Sequence, residues 1–194
     1  VTGYFAMRTF TIEPDKKGLP RFCLNHEPLF LNGVLDQGYW PDGLYTAPSD
    51  EALIYDIQTM KNLGFNMIRK HVKVETARWY YHCDRLGMIV WQDMVNGGTY
   101  NAPFMTWLPA LFPKFKLHTS DRIHPLFGRK NVHGREEFIR ECKDTVTALK
   151  AFPCISTWVI FNEGWGQFDS KKLTALFREL DDTRLIDSAS GWFD

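Results

Sequence analysis

Long apolar runs, a net charge, paired cysteines and glycosylation sequons are all missing from this 194-residue sequence. No stretch approaches the roughly 20 apolar residues of a membrane span, so insertion into a membrane is not expected. Val1 to Ile12 lacks the charged, apolar, small-residue order of a signal peptide. The 23 Lys+Arg balance 23 Asp+Glu, which leaves no basic surplus for a phosphate backbone, and nucleic acid is not an expected partner. Four cysteines, Cys23, Cys83, Cys142 and Cys154, stand far apart with no CxxC pair. They read as buried small hydrophobes, neither a disulfide set nor a zinc site. No G-x-G-x-x-G, P-loop or G-x-S-x-G motif occurs, which counts against dinucleotide, nucleotide and serine-hydrolase chemistry; no cofactor is expected.

What is present is an ordinary folded composition, 44% hydrophobic with 7 Trp, 7 Tyr and 15 Phe. A core of this size buries on the order of 70% of the unfolded surface, so no metal or disulfide is required for stability. Tyr4 to Ile12 is a β-rich run, Pro14 to Gly18 is turn material, and Phe22-Cys23-Leu24 and Leu29-Phe30-Leu31 flank Asn25 to Pro28 as a hairpin would. Ser49 then caps a helix with Asp50 and Glu51 in its first turn, and Leu53, Ile57 and Met60 form a stripe that ends at Gly64. Strand Asn66–His71, helix Glu75–Leu86 and the apolar run Met88–Trp91 follow. Residues 94–133 break the rhythm with four prolines and Asn96-Gly97-Gly98, as an excursion over an active site does. A helix from about Arg135 to Phe152, strand Ile155–Phe161, a helix from Ser170 and strand Leu185–Ala189 complete the pattern. Five strands alternating with helices call for a parallel sheet, in an open doubly wound fold or in a barrel.

Each strand ends in polar residues: Asp36-Gln37, Arg69 to His71, Gln92-Asp93, Asn162-Glu163, and Asp187-Ser188 with Ser190. In a (β/α) barrel these ends share one face and converge on one pocket. The sharpest is Asn162-Glu163 before Gly164-Trp165-Gly166. A tryptophan beside a carboxyl desolvates it and raises its pKa, which suits a general acid. The alternative is that Glu163 only caps the following turn.

Leu29-Phe30-Leu31-Asn32-Gly33-Val34, Gly64 to Arg69, Trp79 to Trp91 and Phe161-Asn162-Glu163 resemble the catalytic-domain motifs of glycoside hydrolase family 2, the β-galactosidases, β-glucuronidases and β-mannosidases, in the family's order. The resemblance implies a (β/α)8 TIM barrel of which about the first five strands are present. It implies residues 21–194 as the N-terminal part of that barrel, and residues 1–20 as the last strand of a preceding immunoglobulin-like sandwich plus a linker. It further implies a retaining mechanism on a β-linked glycoside or oligosaccharide, with two carboxyls about 5 to 5.5 Å apart. Glu163 matches the family's acid/base and Asn162 the residue that bonds the sugar 2-hydroxyl. The nucleophile, a Glu after a seventh strand, has no counterpart in the 194 residues. The chain departs from better-known members at Asp36-Gln37-Gly38-Tyr39-Trp40, where they carry an Arg-His pair, and at Arg69-Lys70-His71, where they carry Cys-Ser-His.

Asp36, His71 and Asp93 are candidate sugar-hydroxyl ligands, and Trp40, Trp91, Trp165 and Trp192 candidate stacking platforms. Trp91 also reads as barrel core, and His71 as a structural histidine. His82 reads as a surface residue, and Lys114, Lys116, Arg122, Arg129 and Lys130 as a solvated face. His118, His124 and His133 lack metal-ligand spacing. The expected function is that of a retaining β-glycosidase, completed by the remaining barrel strands and β-sandwich domains of a longer chain and inactive without them. The alternative is a non-catalytic carbohydrate-binding or structural barrel domain.

Overall fold

A computed structural model describes residues 3–107, 111 and 120–191. The first strands are β1 (Phe10–Pro14), β2 (Pro20–Leu24) and β3 (Glu27–Pro28), which form a small antiparallel sheet. The main pairing is β1 with β2, closed by Asp15, whose Oδ1 accepts the amides of Lys17 and Leu19 at 2.8 and 3.0 Å. The β2–β3 turn is only Asn25-His26, both left-handed at φ 52° and 68°, as a two-residue hairpin turn requires. Its return strand is Glu27–Pro28, followed by one further bond from the Leu29 amide to the Phe22 carbonyl at 2.9 Å. The hairpin expected to return through Leu29–Leu31 is therefore shorter than its apolar pattern suggests. The expected strand at Tyr4–Ile12 begins only at Phe10; Gly3 to Thr9 is held by side chains instead, with Tyr4 donating to Asp84 at 2.6 Å and Arg8 to the Pro153 carbonyl at 2.9 Å.

The remainder alternates: β4 (Gly33–Asp36), α1 (Asp50–Asn62), β5 (Met67–Lys70), α2 (Ala77–Leu86), β6 (Ile89–Asp93), α3 (Val132–Leu149), β7 (Ile155–Val159), α4 (Ser170–Leu180) and β8 (Leu185–Asp187). The five strands β4 to β8 lie in sequence order in one parallel sheet. Ser49 caps α1 through Ala52 N at 3.3 Å, and Leu53 and Ile57 are buried. Helix α2 ends where Gly87 turns left-handed at φ 69°, which a residue with a Cβ resists. Helix α3 starts three residues before the expected Arg135, because Asn131 Oδ1 takes the Gly134 amide at 3.3 Å.

Register decides which side chains meet. Lys70, Gln92, Trp158 and Ile186 pair across neighbouring strands and face the helices. Their layer contains the core, with Ile57, Trp79, Tyr80, Val90, Phe161 and Phe177 all buried. His82 lies in this layer too, 7% exposed beneath α1 with Asp50 Oδ2 at 3.8 Å. The surface position expected for it is wrong, because that face of α2 packs on α1. The four cysteines are free and buried, and burial raises the thiols of Cys83, Cys142 and Cys154.

Arg69, Trp91, Thr157 and Leu185 share the opposite face. Between that face and the small sheet lies a cavity of about 1080 Å³ lined by Ile12, Phe22, Phe30, Trp91, Thr157 and Leu185. Trp91 is thus a lumen residue. The arrangement is a five-stranded part of a TIM barrel, entered through a β-hairpin. Among the described residues no helix is long and apolar enough to cross a membrane.

Candidate active site

At the carboxyl ends of β5 to β8 one guanidinium gathers the polar residues. Arg69 Nε and Nη2 donate to the two oxygens of Asp93 at 2.9 and 3.0 Å. Nη2 also donates to Asn162 Oδ1 at 2.8 Å and Nη1 to Ser190 Oγ at 2.7 Å. Paired planar forks of this kind fix both partners in orientation as well as distance. Asp93 is 1% exposed. Burial pushes its pKa up, against the opposing hydrogen bonds and charge of Arg69. Because an arginine only donates, the end of Asn162 that faces it is the carbonyl oxygen, which leaves the amide NH2 available as a donor.

Glu163 follows at φ 52°, with Gly164 and Gly166 also left-handed at 69° and 66°. Its amide donates to the Ser190 carbonyl at 2.7 Å, and the Trp165 amide closes the turn on the Asn162 carbonyl at 3.0 Å. The carboxyl is exposed. The Trp165 ring makes an edge contact with Tyr100, centroids 6.3 Å apart. Gly191, at φ 104°, passes under Glu163: a Cβ there would lie 3.4 Å from its Cα and Cγ.

The excursion between β6 and α3 braces the same turn. Arg129 Nε donates to the Gly166 carbonyl at 2.8 Å, and its guanidinium lies over Phe138 and Phe168 at 4.7 and 5.5 Å. Arg129 is therefore buried, a correction to the solvated face expected for it; stacking on two rings compensates its lost hydration. Trp192, Lys114, Lys116 and His118 lie outside the described residues.

Of the other candidates, His71 stands beside Asp93 and faces Gln37, with Nδ1 at 3.4 Å from Gln37 Nε2. Asp36 turns away from the cluster to the helix side, where Oδ2 accepts from Lys70 at 2.6 Å and Oδ1 from the Gly38 amide at 2.7 Å. Both of its oxygens are engaged there. Trp40 packs against the core, bridged to Leu44 through the backbone. Arg69 and Ser190 carry the cluster although the sequence assigned neither a role. Each was legible only as a polar residue at a strand end.

The sequence profile described as glycosyl hydrolases family 2, TIM barrel domain, matches residues 17–192. Among curated proteins the chain is similar to a putative β-glucuronidase of Formosa agariphila, 24% identical over 176 residues, which covers 88% of this chain and 14% of that one. It is similar to a β-galactosidase of Priestia megaterium, 25% identical over 189 residues, covering 92% and 16%. The chain thus spans about a seventh of the length of these relatives. Among solved structures a β-glycosidase from Bacteroides vulgatus superposes with a TM-score of 0.69 at 22% identity, over 94% of this chain and 20% of that one. A β-galacturonidase from Eisenbergiella tayi bound to galacturonate superposes with a TM-score of 0.66 at 20% identity, over 94% and 28%.

Proposed function

The chain belongs to glycosyl hydrolase family 2, and on that premise we propose that it is the acid/base half of a retaining β-glycosidase site. One observation carries the reading. Glu163 stands in the turn after β7, directly after an asparagine whose amide is oriented by Arg69. Glu163 delivers its proton to the leaving oxygen of a β-linked glycoside and later takes one from the water that releases the sugar. Asn162 donates its NH2 to the sugar 2-hydroxyl, a bond that strengthens as positive charge grows at the anomeric carbon. His71, Asp93, Trp165 and Trp40 border the substrate, and Asp36 supports that border from behind. The attacking carboxylate and three further βα units come from the rest of the barrel, preceded by a β-sandwich that residues 1–20 adjoin. Residues 1–194 alone do not turn over glycosides.

The test is Glu163→Gln in the natural full-length protein. Hydrolysis of glycosides with a poor leaving group falls by about 10² to 10⁴, while substrates whose leaving group needs no proton keep most of their glycosylation rate. Equal loss on both substrate types rejects Glu163 as the acid. A wild-type protein that binds sugars without cleaving any supports a carbohydrate-binding domain instead.

A further inference from the structure

Behind the candidate site, on the helix side of β4 and β5, four charged side chains meet, Lys70, Lys73 and Glu75 buried and Asp36 with 29% of its side chain exposed. Lys70 and Lys73 are 1% and 2% exposed. Lys70 Nζ contacts Asp36 Oδ2 at 2.6 Å and Glu75 Oε1 at 3.1 Å, and Lys73 Nζ contacts the same Glu75 oxygen at 2.7 Å. Two ammonium groups against two carboxylates make the cluster formally neutral. Trp79 lies under Lys70 at 4.2 Å and Tyr45 under Lys73 at 4.6 Å. Buried ion clusters are poor stabilisers, since apolar side chains of similar volume serve folding as well or better. What such a cluster does supply is direction, and this one points at a single loop.

The loop is residues 37–46, between β4 and α1. Lys73 Nζ donates to the Gly38 carbonyl at 2.5 Å and Asp36 Oδ1 takes the Gly38 amide at 2.7 Å. Both polar groups of one loop residue are thus held by charged side chains. Gly38 is left-handed at φ 66°, and a Cβ there would stand 2.6 Å from Glu75 Oε1 and 2.9 Å from Lys73 Nζ. Only a glycine lets the backbone come this close. On its other side the loop carries Gln37 to His71, next to Asp93, and further along it carries Trp40 and Tyr45.

We propose that the charged tetrad Asp36–Lys70–Glu75–Lys73 is a positioning device that clamps loop 37–46 at Gly38 and thereby sets the substrate-binding edge of the site. Lys73 and Gly38 are then positioning residues for glycoside binding, and this part rests on the hydrolase reading above. Neither residue touches the reacting atoms. Loosening the clamp removes contacts that ground state and transition state share, so the loss falls on KM and leaves kcat alone.

Two variants of the natural full-length protein test this. Lys73→Met removes the tether to the Gly38 carbonyl. Gly38→Ala keeps every charge and pries the loop off its seat, so it serves where the methionine variant fails to fold. Amide hydrogen exchange of residues 37–46 rises by about tenfold in either variant, while β5 to β7 stay as protected as in the wild type. With a cleaved glycoside KM rises by about tenfold and kcat stays within about threefold. Unchanged exchange in the loop, or a fall in kcat at constant KM, overturns the clamp. The exchange measurement needs no turnover, so an inactive wild type rejects the hydrolase reading and leaves the clamp to be decided by exchange.

Discussion

The guanidinium of Arg69 meets the carboxylate of Asp93 with both prongs, Nε to Oδ1 at 2.9 Å and Nη2 to Oδ2 at 3.0 Å. The pair joins the ends of β5 and β6, and its remaining donors reach Asn162 and Ser190 beyond β7 and β8. One side chain thereby sets the mutual positions of four strand ends. Lysine keeps the charge but cannot form the fork. Arg69→Lys is expected to lose about 1.5–3 kcal/mol, measured by urea denaturation. Arg69→Met, which leaves the Asp93 carboxylate buried and unpaired, is expected to lose about 3–5 kcal/mol. A methionine variant as stable as the lysine variant contradicts this account of the pair.

Gly191 gives a sharper probe of Glu163. Its φ of 104° and the 3.4 Å approach to Glu163 leave a β-carbon in van der Waals contact and in a strained backbone. Gly191→Ala is expected to cost about 1–3 kcal/mol. On the hydrolase reading, turnover by the natural full-length protein should fall further than that loss of folded protein explains, because the added Cβ presses on Glu163 Cα and Cγ. Thermal denaturation and turnover measured on one preparation separate the two effects, and a loss of stability alone refutes the second.

Asp181, at the end of α4, sets a pH dependence. Burial raises the pKa of its carboxyl, but Thr183, the Arg184 charge and the Trp158 indole outweigh that, so it lies below the usual value. Its folded pKa is depressed, so its contribution is present above the unfolded value of about 3.9 and is lost as pH falls through the folded one. Asp181→Asn is expected to cost about 3 kcal/mol at pH 7, with the gap to the wild type closing below about pH 4. Urea denaturation at both pH values checks it; a gap that persists in acid rules the carboxylate out as its source.

In the helix-side core Phe161 stacks on Phe138, centroids 5.4 Å apart and planes 11° apart. Phe161→Ala is expected to cost about 3–5 kcal/mol. Tyr55→Ala, on the exposed face of α1, should stay within about 0.5 kcal/mol. Calorimetry that ranks them the other way would disprove the layer assignment.

Much of this molecule is written locally. The period of Leu53 and Ile57, the cap at Ser49 and the stop at Gly87 each act within a few residues, which is why α1 and α2 were legible from the chain alone. The apolar run ending in Asn162-Glu163 was legible for the same reason, since a strand delivers its last residues to one face wherever it packs. The buried place of His82 was not, because it depends on which helix lies across α2. Arg129 was misread as solvated because its ring partners, Phe138 and Phe168, arrive from α3 and from the turn after β7. Asp36 belongs to the same class. Composition put it at a strand end, but the inter-strand register turned it towards Lys70 and away from Asp93.

The sequence by itself determined the main elements, their order and the carboxyl that follows β7, because hydrophobic period, caps and turns are properties of neighbours along the chain. Only the tertiary structure decided that Arg69 unites Asp93, Asn162 and Ser190, and that Lys73 grips the Gly38 carbonyl behind them. Those are relations between residues as many as 121 positions apart. Direction and distance across a sheet arise when its strands align, and no local pattern encodes them.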